Sequence, residues 1–424
     1  MHASPSMRAG FGRAEITPPL GARLRGYYHE RLATGVRDPL FVRALAWEAA
    51  GRRLLLLTFD LCHLSEPLCR ALREAVAAAA GLPPEAVYVA ATHTHTGPEE
   101  SDALSAVLAA KAAEAAAAAF ERLRPCAVRI GRGRVPGLGF NRRYRLKDGS
   151  AMTNPGARAK EIVEPLGPVD DRLGVLRFEA PDGALLGVLF HFGLHVDCVG
   201  GTEISADWPA GVERELRAAC GDPALHAQFL LGPCGDVNHW DFMGGRFGGK
   251  QEEASRIAAA LAGALRELLG RTAPLPAAEL NWIEERVELP VRRPDDRERA
   301  EARTILEQAR DRTRDFTLEV VEAARVERAA ALPPALAAPL RAVRLGDWRL
   351  LLAPLELFVD VAREIEAAAP GGPLWIATLA GGAYGYLPSR RAFGEGGYEV
   401  VSSLFQPEAP DLLIDRAARL LASV

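Results

Sequence analysis

Nine histidines are spread over 424 residues, yet four of them fall in two close pairs, His93 with His95 and His191 with His195. The first pair lies in Thr92-His93-Thr94-His95-Thr96-Gly97-Pro98, directly after the apolar run Ala86–Ala91. That run reads as a strand, and ligands of α/β folds gather outside the carboxyl ends of strands. Residues i and i+2 of a regular strand share a face, so a strand that persists aims both imidazoles at one site. A chain that turns first makes them diverge. Either way one ring can hold a metal while the other supports it or moves a proton, and two ordinary loop histidines would satisfy the same pattern. The second pair follows the run Ala184–Leu189. Its spacing would suit two zinc ligands on a helix, but Gly193 and the preceding strand argue against a helix. Only one of the two is then expected at a site, and His195, past the strand end, is the better placed. His191 reads as a core histidine with its ring nitrogens satisfied.

Four further segments carry candidate chemistry. Gly232-Pro233-Cys234-Gly235-Asp236-Val237-Asn238-His239 follows another strand. It is either a plain turn or a place where Asp236 and Asn238 meet a ligand. Glu356, in Leu352-Ala353-Pro354-Leu355-Glu356-Leu357-Phe358, reads as a carboxylate opening an apolar helix. The helix dipole explains such a residue, and so does metal ligation. Tyr384, Tyr386 and Tyr398 lie in glycine-rich surroundings and offer either rim packing or phenol oxygens. Arg142 and Arg143, in Phe140-Asn141-Arg142-Arg143-Tyr144, carry guanidinium forks suited to carboxylate or carbonyl oxygens, unless they form a solvated charge run.

These segments need a scaffold, and the chain alternates strand and helix signals over its first 270 residues or so. Strands are expected at Arg53–Asp60, Ala86–Ala91, Cys126–Ile130, Leu173–Phe178, Ala184–Phe192 and Ala227–Leu231. Ser65 and Gly81 bracket a helix, and Ala103–Arg122 and Gln251–Leu269 read as long helices, with another beginning near Pro209. Asp182-Gly183 and Gly346-Asp347 read as hairpin turns, and Gly131–Asn154 as turn chemistry. Later come a strand at Leu280–Val291, a charged helical segment around 295–332, a helix at Glu356–Ala367 and a final helix at Asp411–Leu421. The class is α/β (α+β): one large mixed-sheet catalytic domain over 1–424 with helices on both sides. Hydrophobic residues make up 49%, charged residues 25%, and the formal charge is −4. That balance excludes a basic nucleic-acid binder. No run approaches 18 uninterrupted apolar residues, so no membrane span is expected. Six scattered cysteines without a CxxC read as reduced thiols of a cytoplasmic protein.

In this order, the segments resemble the N-terminal catalytic domain of neutral/alkaline non-lysosomal ceramidases. The resemblance runs from Gly10-Phe11-Gly12-Arg13-Ala14-Glu15-Ile16-Thr17-Pro18 through the THTHTGP segment, Phe140-Asn141-Arg142-Arg143 and the His195 segment. It continues through Gly235-Asp236-Val237-Asn238 and Leu355-Glu356-Leu357-Phe358 to the two site tyrosines, Tyr386 and Tyr398. It implies a zinc-dependent amidase with His93, His195, Glu356 and Tyr386 on Zn2+, and with His95, Arg142 and Tyr398 around the water and the substrate carbonyl. Such a site leaves a coordination position open for water, whose pKa zinc lowers to about 7. No secretory leader and no C-terminal immunoglobulin-like domain are expected here. The family carries Ser where this sequence has Asn238, which points to a small soluble substrate held near Asp236 and Asn238 rather than to ceramide. Two alternatives keep the residues but change the outcome: a metal-dependent esterase, lactonase or Lewis-acid enzyme of a specialised pathway, and a non-catalytic scaffold with a degenerate site.

Overall fold

The computed structural model describes residues 7–247, 250–276, 279–309 and 317–424. Three sheets build the scaffold. The first has the order Val87–Ala91, Arg52–Phe59, Phe41–Ala49, Arg8–Glu15, Arg124–Pro125. The second runs His226–Leu231, Leu185–Phe192, Arg172–Glu179, Ala127–Arg134, Ala273–Leu275. The third runs Leu280–Pro290, Ala335–Leu345, Trp348–Leu352, Leu374–Ala377. Neighbours within each sheet are mostly antiparallel, with one parallel pair in each.

Period-two alternation explains the stacking. Leu54 and Leu56 turn inward to a core shared with Phe178 and Leu189 of the second sheet and Trp348 of the third. Leu55, Leu57 and Phe59 turn outward onto Leu68, Leu72 and Val76 of the helix Glu66–Ala80. Both faces of the strand are therefore buried, which is why its sequence is a continuous apolar run. On the second sheet Val175 and Phe190 face the helices Asp207–Cys220 and Lys250–Leu269 in the same way. The third sheet is backed by Val359–Ala368 and Ala409–Ser423. The mixed-sheet α/β class with helices on both sides is what the structure shows.

The helix Asp102–Glu121 is long and apolar enough, by length and composition, to cross a membrane. It lies instead against the strand Arg8–Glu15, with Ala112, Ala115, Ala116 and Ala119 buried. Gly10 and Gly12 permit that approach: a Cβ on either would sit about 2 Å from the carbonyl oxygens of Ala119 and Ala115.

Local signals set several boundaries. Ser65 Oγ accepts from Leu68 N and Gly81 adopts φ 65°, closing the two ends of Glu66–Ala80. Gly183 and Gly346 sit at the hairpin turns with positive φ. Three expectations change. The strands Arg8–Glu15 and Phe41–Ala49 had no counterpart in the sequence reading. Gly131–Arg134 continues a strand, and Phe140–Asn141, Arg143–Leu146 and Ala151–Thr153 are short strands where turns were expected. Glu356 does not open a helix: it pairs with Tyr386 in a two-residue parallel bridge, and the helix starts at Val359. The 295–332 segment is two helices, Asp296–Ala309 and Leu318–Ala331, and its middle lies outside the described residues.

Candidate metal centre and active site

Each sheet contributes one parallel strand pair, and all three pairs end at one place. Phe59 is level with Ala91, Phe192 with Leu231, and Leu352 with Ala377. The chain leaving these ends supplies Cys62, His93 and His95; then His195 and Cys234; then Glu356 and Tyr386. Main-chain bonds stitch the bundle together: Thr378 N donates to Leu231 O (3.0 Å), Gly381 N to Val89 O (2.7 Å) and Gly235 N to Leu357 O (2.9 Å).

His93 leaves the strand at φ 76°, so the strand does not persist through the first histidine pair. The turn nevertheless brings both rings to one site, with Nε2 of His95 3.4 Å from Nε2 of His93. Nδ1 of His93 donates to Cys62 O at 2.7 Å, and Nδ1 of His195 to Cys234 O at 2.9 Å. Those bonds fix the tautomers and turn the Nε2 lone pairs inward, where they face each other at 3.1 Å. Two opposed lone pairs at that distance repel unless a cation lies between them. Glu356 Oε2 is buried with no hydrogen-bond partner among the described residues, 3.6 Å from His93 Nε2 and 3.8 Å from His195 Nε2. Ligands of a tetrahedral zinc lie about 3.3 Å apart, from bond lengths near 2.0–2.1 Å. The three groups fit such an ion. Cys62, His93 and His95 also lie close together. That set is the poorer one, because His93 Nδ1 is occupied by Cys62 O and burial pushes the Cys62 thiol up to about 12.

Tyr386 stands on the neighbouring strand segment, its phenol raised well above its ordinary pKa by burial and by Glu356 and pulled back by Arg142. Arg142 is fixed by Glu399 Oε1 (2.6 Å) and Gly235 O (2.8 Å), and its NH1 lies 3.3 Å from His195 Nε2. Glu399 is fully buried and also accepts from Thr153 Oγ1 at 2.6 Å. Burial depresses His195, reinforced by Arg142, and depresses His95, reinforced by His93. His95 Nδ1 lies 3.5 Å from Asp197 Oδ1, which also accepts from the Tyr27 hydroxyl. Tyr398 meets Tyr28, oxygen to oxygen, at 2.6 Å.

Asp236 and Asn238 are buried and do not line the cleft. Asp236 is 1% exposed, and its carboxylate accepts from Val359 N (3.0 Å) and Asn141 Nδ2 (2.7 Å). It thereby ties the Glu356 segment to the Arg142 segment. Asn238 is 5% exposed and bonds Asn154 Oδ1 and Trp240 N. His191 lies away from the site, with Nε2 on Ile376 O at 2.9 Å and its ring stacked on Trp375.

Sequence reasoning missed the covering loop. Residues 23–31 roof a polar cleft of about 370 Å³ over His93, His95, Glu356, Tyr386 and Tyr398. Gly26 packs on His95 at φ 116°, where a Cβ would come within 2.7 Å of the His95 side chain. The signal lay in Gly26-Tyr27-Tyr28-His29, aromatic side chains beside a glycine among arginines. Asp197 was visible only as a neighbour of His195.

No protein-family profile matches the chain, and no curated protein matches it. Solved structures do. The chain is similar to neutral ceramidase from Pseudomonas aeruginosa, with 20% identity and a TM-score of 0.76, over 100% of this chain and 75% of that one. It is similar to a ceramidase complexed with C2, with 19% identity and a TM-score of 0.76, over 99% of this chain and 76% of that one. The fold of this chain is the neutral ceramidase fold.

Proposed function

We propose that this chain is a zinc-dependent hydrolase that cleaves the amide (N-acyl) bond of a small substrate. One observation carries the reading: two inward-facing imidazole nitrogens and an unpartnered buried carboxylate oxygen converge at the floor of a cleft, with a fixed guanidinium alongside. The solved structures that share the fold are ceramidases by name, which supports an amide as the bond attacked.

His93, His195 and Glu356 would hold the ion, with the phenol oxygen of Tyr386 as a fourth ligand. When bound, the ion supplies Lewis acidity to a carbonyl and to water. Arg142 keeps its charge because Glu399 faces it, so it offers a preset donor where negative charge grows on the carbonyl oxygen. One such donor is typically worth about 3 kcal/mol. His95 is neutral at pH 7 because burial depresses it. It can take a proton at Nε2 and pass it to the departing amine, with Asp197 stabilising the imidazolium. Tyr398, held by Tyr28 at the cleft wall, shapes the approach to the reacting atoms.

Mass-spectrometric product analysis of short N-acyl amides and matched esters, with metal-stripped and zinc-loaded protein, tests this reading. Zinc-dependent release of free amine and free acid is expected. Cleavage of the esters alone, or turnover indifferent to metal, overturns it.

A further inference from the structure

The roof over the cleft, residues 23–31, is tied down along one wall. Arg25 N donates to Gly97 O at 2.9 Å, and Glu99 N donates to Arg23 O at 2.8 Å. Arg31 reaches the main-chain oxygens of His95 at 2.6 Å and Gly201 at 2.8 Å. The Tyr27 hydroxyl donates to Asp197, and the Tyr27 ring stands edge-on to His95 with 5.7 Å between centroids. All these partners belong to the two segments that carry His95 and His195.

Tyr28 reaches the other way. Its hydroxyl meets that of Tyr398 at 2.6 Å, with the rings at 81° and 6.2 Å between centroids. Tyr398 opens the helix Tyr398–Ser402, and its ring lies 5.7 Å from that of Tyr386. Tyr28 lines the cleft and yet is 43% exposed. A side chain that is both is a partition between cleft and solvent. The hydroxyl pair therefore closes the roof onto the wall that carries Tyr386 and Tyr398. A phenol can donate and accept at once, so Tyr398 can accept from Tyr28 and still donate into the cleft.

The amidase reading gives the substrate a direction. The amine departs toward His95, on the side of Tyr27 and Asp197. The acyl group then extends toward Tyr386 and Tyr398 and meets the Tyr28 partition. The lining offers a long chain little. Leu24 is the one aliphatic side chain among the described residues that line the cleft, and it is 5% exposed. An acyl chain gains by leaving water only where apolar surface receives it.

We propose that Tyr28 is a specificity-determining residue: its contact with Tyr398 closes the acyl end of the cleft and restricts the substrate to amides of short acyl groups, such as acetyl. This rests on the reading of the cleft as an amidase site.

The test separates closure from turnover. Hydrogen exchange of residues 23–31 is compared in metal-stripped wild type and Tyr28→Phe, which keeps the ring and loses the hydroxyl. Exchange at least threefold faster in the variant is expected, because the roof loses its tie to the far wall. Equal exchange overturns the closure. With zinc-loaded full chain, kcat/KM is compared for an N-acetyl and an N-octanoyl amide of one amine. Wild type should favour acetyl at least tenfold, and Tyr28→Ala should shrink that preference at least fivefold. Tyr28→Leu carries the same expectation should Tyr28→Ala melt early. Indifference of wild type to chain length, or a preference unchanged in the variants, overturns the proposal. Affinities of the zinc chelators acetohydroxamate and octanohydroxamate are read alongside, and their ratio should move in the same direction. A ratio that moves while no amide reacts overturns the amidase reading and leaves Tyr28 as the closure of the cleft. A ratio that stays fixed overturns the proposal.

Discussion

His93 holds a left-handed backbone conformation that a non-glycine residue adopts at a cost of about 1–3 kcal/mol. Two bonds maintain it, His93 N to Leu61 O at 2.8 Å and Nδ1 to Cys62 O at 2.7 Å. That outlay positions Nε2 opposite His195. Replacing the ring removes the lone pair and leaves the scaffold, so His93→Ala should abolish both zinc retention and turnover while the fold persists. Zinc content by mass spectrometry and circular dichroism check this, and unchanged activity would refute the ligand assignment. Arg142 belongs to a different class. Arg142→Gln should lower kcat about 100-fold with a smaller change in KM, since the lost donor acts on charge that develops in the transition state. An equal or larger loss in KM alone would place Arg142 in ground-state binding. At this scale the sequence was informative where residue type and chemistry coincide. His93, His195, Glu356, Tyr386 and Arg142 all come together at one site. Asp236 and Asn238 do not line the cleft, because a glycine-rich turn carrying one Asp and one Asn after a strand is as well suited to tying main chain as to touching a ligand.

At the scale of elements, the site depends on what braces the strand ends. Asp207, at φ 62° and buried, accepts from Val199 N at 2.7 Å and Trp208 N at 2.5 Å, and so pins the loop carrying His195 and Asp197. Burial lifts its carboxyl from an ordinary 3.8 to about 7. Between those values the unfolded chain has released a proton that the folded chain keeps, so this group's contribution to stability falls as pH rises from about 4 to about 7. Asp207→Asn removes that titration. The urea midpoint of wild type minus that of the variant should therefore decline across the window and level off above it. A difference that stays flat from pH 4 to 8 would show that Asp207 ionises normally. Gly26 braces from the other side. Gly26→Ala forces a Cβ against His95 from a backbone region closed to L residues, so kcat/KM should fall about tenfold with zinc content retained. Loss of zinc together with activity would mean the loop supports the ligands themselves. Helix boundaries were legible through Ser65 and Gly81, whose capping chemistry is local. Glu356 was assigned to a helix because its apolar neighbours suit a helix or a buried segment equally. Its pairing with Tyr386, 30 positions along the chain, is a tertiary fact that no local pattern encodes.

At the scale of the whole molecule, the three large sheets end their parallel strand pairs together, with a polar cleft above. The α/β class followed from alternating apolar runs and helix caps. The stacking of the first two sheets did not, since strands buried on both faces lose the alternation that tells one face from the other. The short strands of residues 140–153 were hidden for the opposite reason, being short polar pieces: Arg143–Leu146 and Ala151–Thr153 pair with each other, and Phe140–Asn141 pairs with Val237–Asn238, distant in sequence. Because the ligands come from all three sheets, ion binding should couple to global stability. Zinc at about 1,000 times its dissociation constant should raise the free energy of unfolding by about 4 kcal/mol, read from urea melts of stripped and reloaded protein. Identical melts would mean that the three strand ends are not bridged by an ion. The most direct test of the central claim is metal content itself, measured on gently purified protein and after zinc addition. The account predicts close to one zinc per chain, lost in His93→Ala and in Glu356→Gln. Less than about 0.2 per chain with no gain on addition would contradict it.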